Sequence, residues 1–432
     1  MSNHRRTPNR LAMSRRTLLG SAVSAGLIAA LPRRVLAQAT LPNVTIWVQS
    51  GPEAEALDIV AAAYTEATGN PVTVSPQGRA GWRQRYETAL AAGSKEFDGV
   101  LHISRFVPAL AAGGLIASYD DYIAASPDYD ADDYPAIIQS EMKFEGKWFM
   151  APTDITLETL VYRTDLIPEA PKTWDELREN AMKFTQSVNP DSPTRYGYAY
   201  SAGPGNAMGA FLGIMGSYGA DFLDAQGCVT TDSPEMAQAW TMFVKMKNVD
   251  QVTPPDINAW DYPEILVGLQ NGTIAQASFF TAGMPILNDC AQTPDHCGNL
   301  ALVAQPAGPA GSKTRVNPLG IMMNAQSDNK DALWEFLKFA TGKEGGLIYT
   351  QAGGQNPRSS VLANPALAAQ RAWVPEVLKA SKAGVGTLRI AQSREVAEAF
   401  DRFAQQAVAG QISPEESLTL AAAEMRSILG GC

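Results

Sequence analysis

One stretch, residues 147–167 (KWFMAPTDITLETLVYRTDLI), constrains the fold more than any other part of the chain. A short apolar run from Trp148 to Met150 breaks at Pro152, and an alternating strand pattern resumes within a few residues. So short a break leaves no room for the crossover of about a dozen residues that a parallel neighbour requires, so the pattern indicates one strand that passes through a bend. The sequence therefore predicts a strand that leaves one sheet and enters another. Two α/β lobes become joined by a hinge in this way.

The segments before this stretch predict the start of a doubly wound sheet. Strands and helices alternate as β-α-β-α-β at residues 44–48, 53–68, 71–75, 82–92 and 98–103. Ligands bind such sheets beyond the carboxyl ends of the strands. We therefore expect Gln49 to Gly51 and His102 to Arg105, which follow the first and third strands, to lie at one rim.

The later segments predict two further crossings between the lobes. Residues 273–280 are interpreted as the return crossing and residues 317–325 as a third crossing into the second lobe. These assignments give an N-terminal lobe of residues 41–152 and 278–318 and a C-terminal lobe of residues 153–277 and 319–432. Roughly 390 residues exceed one ordinary hydrophobic core, which favours two lobes.

The first 39 residues predict an export signal. The motif SRRTLL at 14–19 places a twin arginine before an apolar segment, residues 18–31, that is too short to span a membrane. Small residues at 37–39 (AQA) suit a cleavage site. The complete motif favours the twin-arginine pathway over a generic secretory signal. We expect a soluble protein of the periplasm.

The charge balance excludes two classes of partner. The predicted signal holds seven of the 34 basic residues and no acids, so the remaining chain has 27 basic against 44 acidic residues, a net charge of −17. A surface this acidic repels nucleic acid and anionic lipid. We expect neither as a partner, and we expect a monomer.

The four cysteines predict one disulfide. Cys290 and Cys297 stand seven residues apart in a loop that contains proline, and a bond between them suits an oxidising compartment. Two free thiols are the alternative. Cys228 and Cys432 show no evident partner, so a bond between them stays open.

The sequence offers no pattern for catalysis, metal binding or a nucleotide cofactor. Of the three histidines, His4 belongs to the signal and His296 to the cysteine loop, and no G-x-S-x-G turn occurs. No pair of histidines and cysteines has useful metal-ligand spacing. The glycine-rich residues 203–209 carry proline where a backbone would approach phosphate. We interpret them as a helix start that directs Asn206 toward the cleft.

A polar cleft with aromatic walls remains, which is how proteins hold neutral carbohydrates. The candidate aromatic walls are Trp82, His102, Trp260 and Phe280. Three other tryptophans, Trp174, Trp240 and Trp334, are disfavoured because they do not follow a strand end or a crossing.

Several motifs in this order resemble those of the carbohydrate-type periplasmic solute-binding proteins of ABC importers (extracellular solute-binding protein family 1), the group that includes maltose-binding protein. They are GKWF.AP…LVYRTDL, PKTWDEL, GADFLD…VTTDSPE, LQNGTIA, the run from Gly320 to Thr341, and SPEESL. The resemblance covers essentially the whole chain after the signal. It implies two doubly wound α/β lobes joined by a three-segment hinge, the type II periplasmic-binding-protein-like fold, without enzymatic activity. It also implies capture of a sugar, polyol or sugar acid by hinge closure and delivery to a membrane permease, with no cofactor.

The resemblance and the aromatic candidates together give a set of expected ligand-binding positions. These are Gln49, Ser50, Gly51, Trp82, His102, Arg105, Asp154, Thr156, Asn206, Trp260, Phe280, Met284, Asn317, Gly320 and Arg394. Ala282 and Met284 stand where maltose-type members often carry a tryptophan pair, and Ala397 where an aromatic platform is common, which favours a small ligand. Arg105 and Arg394 would allow a carboxylated sugar if both face the cleft. Salt bridges to surface acids are their alternative role.

Two other functions stay open on the residues alone. A secreted hydrolase acting on carbohydrate would need two carboxylates facing each other across the cleft, and only Asp154 is placed there. The same fold could instead bind a polyamine or ferric ion, but tyrosines, histidines and acids do not cluster at the predicted crossings.

Overall fold

A computed structural model describes residues 41–432, so the predicted export signal lies outside the described residues. Within them the chain alternates helices with strands. The strands are β1 (Val44–Gln49), β2 (Val72–Gln77), β3 (Gly99–Ile103), β4 (Ile116–Ala117), β5 (Lys143–Phe144), β6 (Lys147–Trp148), β7 (Ala151–Arg163), β8 (Tyr196–Ala199), β9 (Ile274–Phe280), β10 (Leu300–Val303), β11 (Ala307–Gly308), β12 (Gly311–Ser312), β13 (Thr314–Asn324) and β14 (Gly384–Val385).

The helices surround these strands. They are α1 (Pro52–Thr68), α2 (Trp82–Ala91), α3 (Val107–Ala112), α4 (Asp120–Ala124), α5 (Ala136–Glu141), α6 (Trp174–Lys183), α7 (Ala207–Ser217), α8 (Pro234–Asn248), α9 (Tyr262–Gln270), α10 (Met284–Leu287), α11 (Lys330–Ala340), α12 (Lys343–Gln351), α13 (Ser359–Leu362), α14 (Pro365–Gln370), α15 (Val374–Lys382), α16 (Ser393–Val408) and α17 (Pro414–Leu429). None of them is both long and apolar enough to cross a bilayer.

A ten-stranded sheet has the main order β2-β1-β3-β13-β7-β9-β8, with β4 and β14 paired to β13 and β10 paired to β7. Strand β1 is parallel to both β2 and β3, which confirms the predicted doubly wound start. Strand β8 is parallel to β9 at the other end. The architecture is mixed α/β, and we call the part around β1–β4 the first lobe and the part around β8–β10 the second lobe.

Strand β7 is the predicted first crossing. All thirteen of its residues are buried, as expected for a strand covered on both sides. Its first half pairs with β13 where β13 also pairs with β3, and its second half pairs with β9 and β10. One continuous strand therefore belongs to both lobes, as the bend at Pro152 indicated.

The second and third crossings differ from the sequence-based assignment. Strand β9 stays in the second lobe between β7 and β8, so residues 273–280 are not the return crossing. The return crossing is β13, whose Arg315 pairs with Glu158 while Ile321 pairs with Ala151 and with Leu101 of β3. Alternation identifies a strand but not the sheet it joins, and here it placed the return crossing at β9 instead of β13.

The lobe boundaries change accordingly. Strand β10, within the predicted N-terminal segment 278–318, pairs with the second half of β7. Helices α11 and α12, within the predicted C-terminal segment 319–432, pack on α1 of the first lobe.

The third crossing between the lobes follows β14. Arg389 donates from Nη1 to the backbone oxygen of Ser104 at 2.8 Å and from Nη2 to that of Lys143 at 2.6 Å, both in the first lobe. Four residues later α16 begins and packs on α7 and α17 of the second lobe. Buried Glu141 secures the same segment by accepting hydrogen bonds from Ser104 Oγ at 2.6 Å and from the backbone N–H of Thr387 at 2.8 Å.

Helix starts and tryptophans follow the sequence closely. Thr173 and Ser233 each accept the backbone N–H three residues ahead, as N-caps do. Trp174, Trp240 and Trp334 are all buried in the core, away from the crossings.

Both disulfides are formed. Cys290 pairs with Cys297, as predicted, with 5.0 Å between their Cα atoms. Cys228 pairs with Cys432, with 4.8 Å between their Cα atoms, which settles the pairing that the sequence left open.

Candidate functional site

The crossing strands place a row of polar side chains on one face. Residues two apart on a strand share a face, so Asp154, Thr156 and Glu158 lie together. Directly opposed residues of antiparallel strands also share a face, and β13 sets Asn317 opposite Thr156 and Arg315 opposite Glu158.

A buried ion pair forms the centre of this face. Arg315 Nη1 lies 3.0 Å from Glu158 Oε2, and their side chains are 7% and 1% exposed. Phe280, opposite Glu158 on β9, lies under the Arg315 guanidinium, with 5.3 Å to the ring centroid. Arg315 Nε and Glu158 Oε1 have no hydrogen-bond partner among the described residues. Burial raises the pKa of Glu158, although Arg315 opposes this shift.

Helix α7 approaches the ion pair closely because it carries glycine. A Cβ on Gly209 would lie 2.5 Å from the Arg315 guanidinium carbon. The glycine-rich segment at the start of α7 therefore leaves room for the Arg315 guanidinium against the helix.

The first lobe contributes a cationic end to the site, which we define as Arg83 and Arg105 around the ring of Phe106. The guanidinium carbons lie 5.3 and 4.9 Å from the ring centroid, and the ring of His102 stacks on Phe106 at 4.9 Å. Burial, followed by the charges of Arg105 and Arg83, lowers the pKa of His102 to about 3. His102 is therefore a neutral ring at any physiological pH.

Arg105 is exposed to solvent and lies near the charges of Arg83, Arg315 and Asp401. Desolvation, with the charges of Arg315 and Arg83, lowers its pKa to about 10. Asp401 of α16 faces these arginines from the second lobe and is buried, with Oδ1 accepting the backbone N–H of Met208 at 2.7 Å. Burial raises the pKa of Asp401, while Met208 and the arginines lower it.

The other end of the row is acidic, and we define this acidic end as Glu53, Asp154, Tyr262, Tyr349 and Gln355. Asp154 is buried, and its Oδ2 accepts the backbone N–H of Gln355 at 2.8 Å. Burial, followed by the charge of Glu53, raises the pKa of Asp154 to about 7. Tyr349 Oη and Gln355 Oε1 are buried without a hydrogen-bond partner in residues 41–432.

Both lobes contribute to the acidic end. Tyr262 begins α9 in the second lobe, and its pKa is raised by burial and by Glu53 of the first lobe. Glu53 Oε2 lies 3.3 Å from where a Cβ on Gly51 would stand. The loop after β1 therefore lies beside Glu53 of the acidic end at Gly51, and contact of this loop with a ligand stays a prediction.

Asn206 lies at the start of α7 beside the central ion pair. Its Nδ2 donates to Asp261 Oδ2 at 3.1 Å, and Ser201 Oγ donates to Asp261 Oδ1 at 2.7 Å. The charge of Asp261 in turn raises the pKa of Glu158. Asn206 is thus linked to the face that carries Asp154 and Thr156.

Ten of the predicted positions lie on the crossing strands, beside them, or at the carboxyl ends of first-lobe strands. They are Gln49, Ser50 and Gly51 at the end of β1, His102 near the end of β3, Arg105 after β3, and Asp154, Thr156, Asn206, Phe280 and Asn317 at or beside the crossings. Several already have protein partners: besides the bonds of Asp154 and Asn206 given above, Ser50 Oγ donates to the oxygen of Gln77 and Thr156 Oγ1 accepts from the N–H of Ala282. Their contact with a ligand stays a prediction.

Three predicted positions are buried in packing. Met284 is 1% exposed and Trp82 is 2% exposed, so neither the thioether of Met284 nor the indole ring of Trp82 is accessible to a ligand. Trp82 supports His102 from below instead, with 6.2 Å between ring centroids. A Cβ on Gly320 would lie 2.5 Å from the backbone oxygen of Ala151, so this glycine serves strand packing.

Two further positions lie elsewhere. Arg394 Nε pairs with Glu398 at 2.8 Å on an exposed surface, which is the alternative role that the sequence allowed. Trp260 lines a separate cavity of about 500 Å³ with Tyr196 and one face of α9. The sequence placed Trp260 at the start of a helix, which does not indicate the surface on which its ring lies.

Several site residues were missed. Glu158 and Arg315 had a detectable signal, because they share the alternation phase of Asp154 and Asn317 on strands expected to be buried. Arg83, Asp401 and Tyr262 reach the site through helix packing, which leaves no local signal. No cluster of three or more metal-ligating side chains occurs in residues 41–432.

The sequence profile of the bacterial extracellular solute-binding proteins matches residues 50–347. This chain belongs to that family. It is a solute-binding protein and not an enzyme, in keeping with a site that presents side chains for holding a ligand. The resemblance to carbohydrate-type members is confirmed at the level of the family.

Curated relatives extend over much of the chain. It is 27% identical to a probable amino-acid ABC transporter periplasmic-binding protein of Sinorhizobium fredii, covering 85% of this chain and 86% of the relative. It is 25% identical to an erythritol/L-threitol-binding protein of Mycolicibacterium smegmatis, covering 65% and 62%.

Solved structures share the fold. A solute-binding protein of Agrobacterium radiobacter in complex with ribitol has a TM-score of 0.78 at 22% identity, covering 90% of this chain and 99% of that one. A maltose-bound protein of T. maritima has a TM-score of 0.78 at 22% identity, covering 89% and 99%. These matches confirm the predicted type II fold.

Proposed function

We propose that this solute-binding protein is the substrate-binding component of an ABC importer and captures a sugar, polyol or sugar acid between its lobes. The observation that carries the proposal is the face of β7 and β13, where Asp154, Thr156, Glu158, Arg315 and Asn317 present donors and acceptors beside the ring of Phe280. Dense hydrogen bonding next to aromatic faces suits a hydroxyl-rich ligand. The relatives described with ribitol, maltose and erythritol bind solutes of this class.

The distribution of the site over both lobes supports a mechanism of hinge closure. Glu53 and Arg105 belong to the first lobe, whereas Tyr262 and Asp401 belong to the second. A solute that contacts all four binds the closed arrangement better than the open one and so shifts the population toward closure. The closed protein would then deliver the solute to the permease as a periplasmic monomer, after export directed by residues 1–39.

A thermal-shift panel tests this function. Neutral sugars, polyols, sugar acids, amino acids and polyamines are each added to the purified protein from residue 40 onward. A ligand at 100 times its dissociation constant stabilises the folded state by about 2.7 kcal/mol. We expect a rise in melting temperature with at least one sugar, polyol or sugar acid, confirmed by calorimetric titration. Stabilisation by amino acids or polyamines alone would contradict the proposed ligand class.

Amino acids are the second candidate because one cation and one anion face each other across the site. Arg105 and Asp401 form no ion pair within 4 Å with any described residue, and could bind the carboxylate and ammonium of an amino acid. The relative from Sinorhizobium fredii is named for amino-acid transport. Against this, the raised pKa of Asp401 weakens it as a partner for an ammonium group.

A further inference from the structure

We propose that the solute carries a single carboxylate, which binds Arg105 and Arg83 at the cationic end while its hydroxyl groups reach the acidic end. This inference rests on the proposed function and narrows it to polyhydroxy monocarboxylates such as hexonates and hexuronates.

The cationic end is preorganised by one aromatic ring. Phe106 holds the guanidinium groups of Arg83 and Arg105 near its surface and is itself stacked on His102. Rigid planar donors of this kind match the two oxygens of a carboxylate. Because His102 is neutral, it leaves the positive charge at this end to the two arginines.

Arg105 has an unused bonding capacity. Within residues 41–432 its guanidinium forms no hydrogen bond and no ion pair, whereas Arg83 pairs with Glu87 at 3.8 Å and Arg315 with Glu158 at 3.0 Å. Asp401 faces Arg105, but the N–H of Met208 already occupies its Oδ1. The Arg105 guanidinium is exposed and lies near two other cations. An anionic ligand would supply the hydrogen-bond acceptors that it lacks.

The opposite end selects against a second anion. Glu53 and Asp154 are both acids, and Gln355 Oε1 is a buried acceptor without a donor. These groups accept hydrogen bonds, so they suit hydroxyl groups and would repel a dicarboxylate. Glu158 and Asp154 are four residues apart on β7, which places the acidic end about 13 Å along the strand from the central ion pair.

The experiment compares acids with their neutral counterparts. Dissociation constants are measured by calorimetry for gluconate against sorbitol, glucuronate against glucose, and galacturonate against galactose, with sugar phosphates as a further arm. We expect at least one acid to bind about tenfold or more tightly than its neutral partner, because charge-assisted hydrogen bonds are about twice as strong as neutral ones. The preference should fall as salt increases.

Variants of Arg105 test whether this residue causes the preference for the acid over its neutral counterpart. R105Q should remove the difference within each pair, and R105K should restore part of it, because lysine keeps the charge but not the planar fork. The matched control is R402Q, since Arg402 pairs with Glu424 on the exposed face of α16 and should leave binding unchanged. Because Arg105 forms no hydrogen bond or ion pair with the described residues and loses only its contact with Phe106, R105Q should keep a melting temperature close to wild type.

The outcomes separate this inference from the proposed function. Tight binding of a neutral sugar or polyol with equal or weaker binding of its acid would overturn the carboxylate and leave the function standing. An R105Q variant that weakens both members of a pair equally, or a sugar phosphate that binds more tightly than any carboxylate, would also overturn it. Binding of no sugar, polyol or sugar acid would reject both.

Discussion

Replacement of Arg315 tests whether the buried ion pair between Arg315 and Glu158 stabilises the contact between the two crossing strands. Arg315 and Glu158 are 7% and 1% exposed, so R315M would leave a buried carboxylate without its cation. Breaking such a pair destabilises a protein by about 3–5 kcal/mol, whereas replacing both partners by apolar residues of similar size is often neutral or stabilising by about 1–4 kcal/mol. We expect R315M to lose about 3–5 kcal/mol of unfolding free energy at pH 7.5 and the double variant R315M/E158L to recover most of it.

The pH dependence of R315M adds a second test. Burial already raises the folded-state pKa of Glu158, and loss of Arg315 should raise it further. The folded state then binds a proton more tightly than the unfolded state, so the unfolding free energy falls as pH rises from the unfolded pKa through the folded one. We therefore expect R315M to be closer to wild type at pH 5 than at pH 7.5.

Urea unfolding monitored by tryptophan fluorescence measures both effects in wild type, R315M, E158L and the double variant. R402Q again serves as the control for loss of an exposed arginine. A loss below about 1 kcal/mol for R315M at pH 7.5, or a double variant no more stable than R315M, would contradict the reasoning from a buried pair.

Three other variants have defined expectations. The pKa of Asp154 is raised to about 7 in the folded protein from an ordinary 3.8, so stability should decline as pH rises across that window, and D154N should remove this decline in urea unfolding at pH 5 and 8. The disulfide between Cys228 and Cys432 closes a separation of 204 residues, so C228S/C432S should lower the unfolding free energy by about 5 kcal/mol on loop entropy alone, measured by urea unfolding with reductant-treated wild type for comparison. G320A should lower the melting temperature in calorimetry, because its Cβ would lie 2.5 Å from the Ala151 backbone oxygen.

The sequence was sufficient for the fold where local pattern decides the structure. The break at Pro152 predicted a strand shared by two lobes, because no crossover fits in so few residues. It was insufficient for β9 and β13, because both alternate in the same way and only pairing partners distinguish a strand that stays in one lobe from one that crosses.

The candidate site was predictable where residues follow strands and unpredictable where helices deliver them. His102 lies near the carboxyl end of β3 and Arg105 two residues beyond it, and both belong to the candidate site through their packing with Phe106. Arg394 and Asp401 lie on the same helix seven residues apart, and the first was chosen from the sequence while the second reaches the site. The choice depends on how α16 packs, which a single sequence does not encode.

The attachment of Arg389 to Ser104 and Lys143 restricts how the third connection can deform. Only residues 390–392 lie between that anchor and the start of α16. Any rotation of one lobe relative to the other would therefore change backbone torsions in a very short segment, which limits the amplitude of the rotation and favours one direction. Because the backbone oxygen that holds Arg389 belongs to Ser104, this anchor lies one residue from Arg105 of the proposed ligand site.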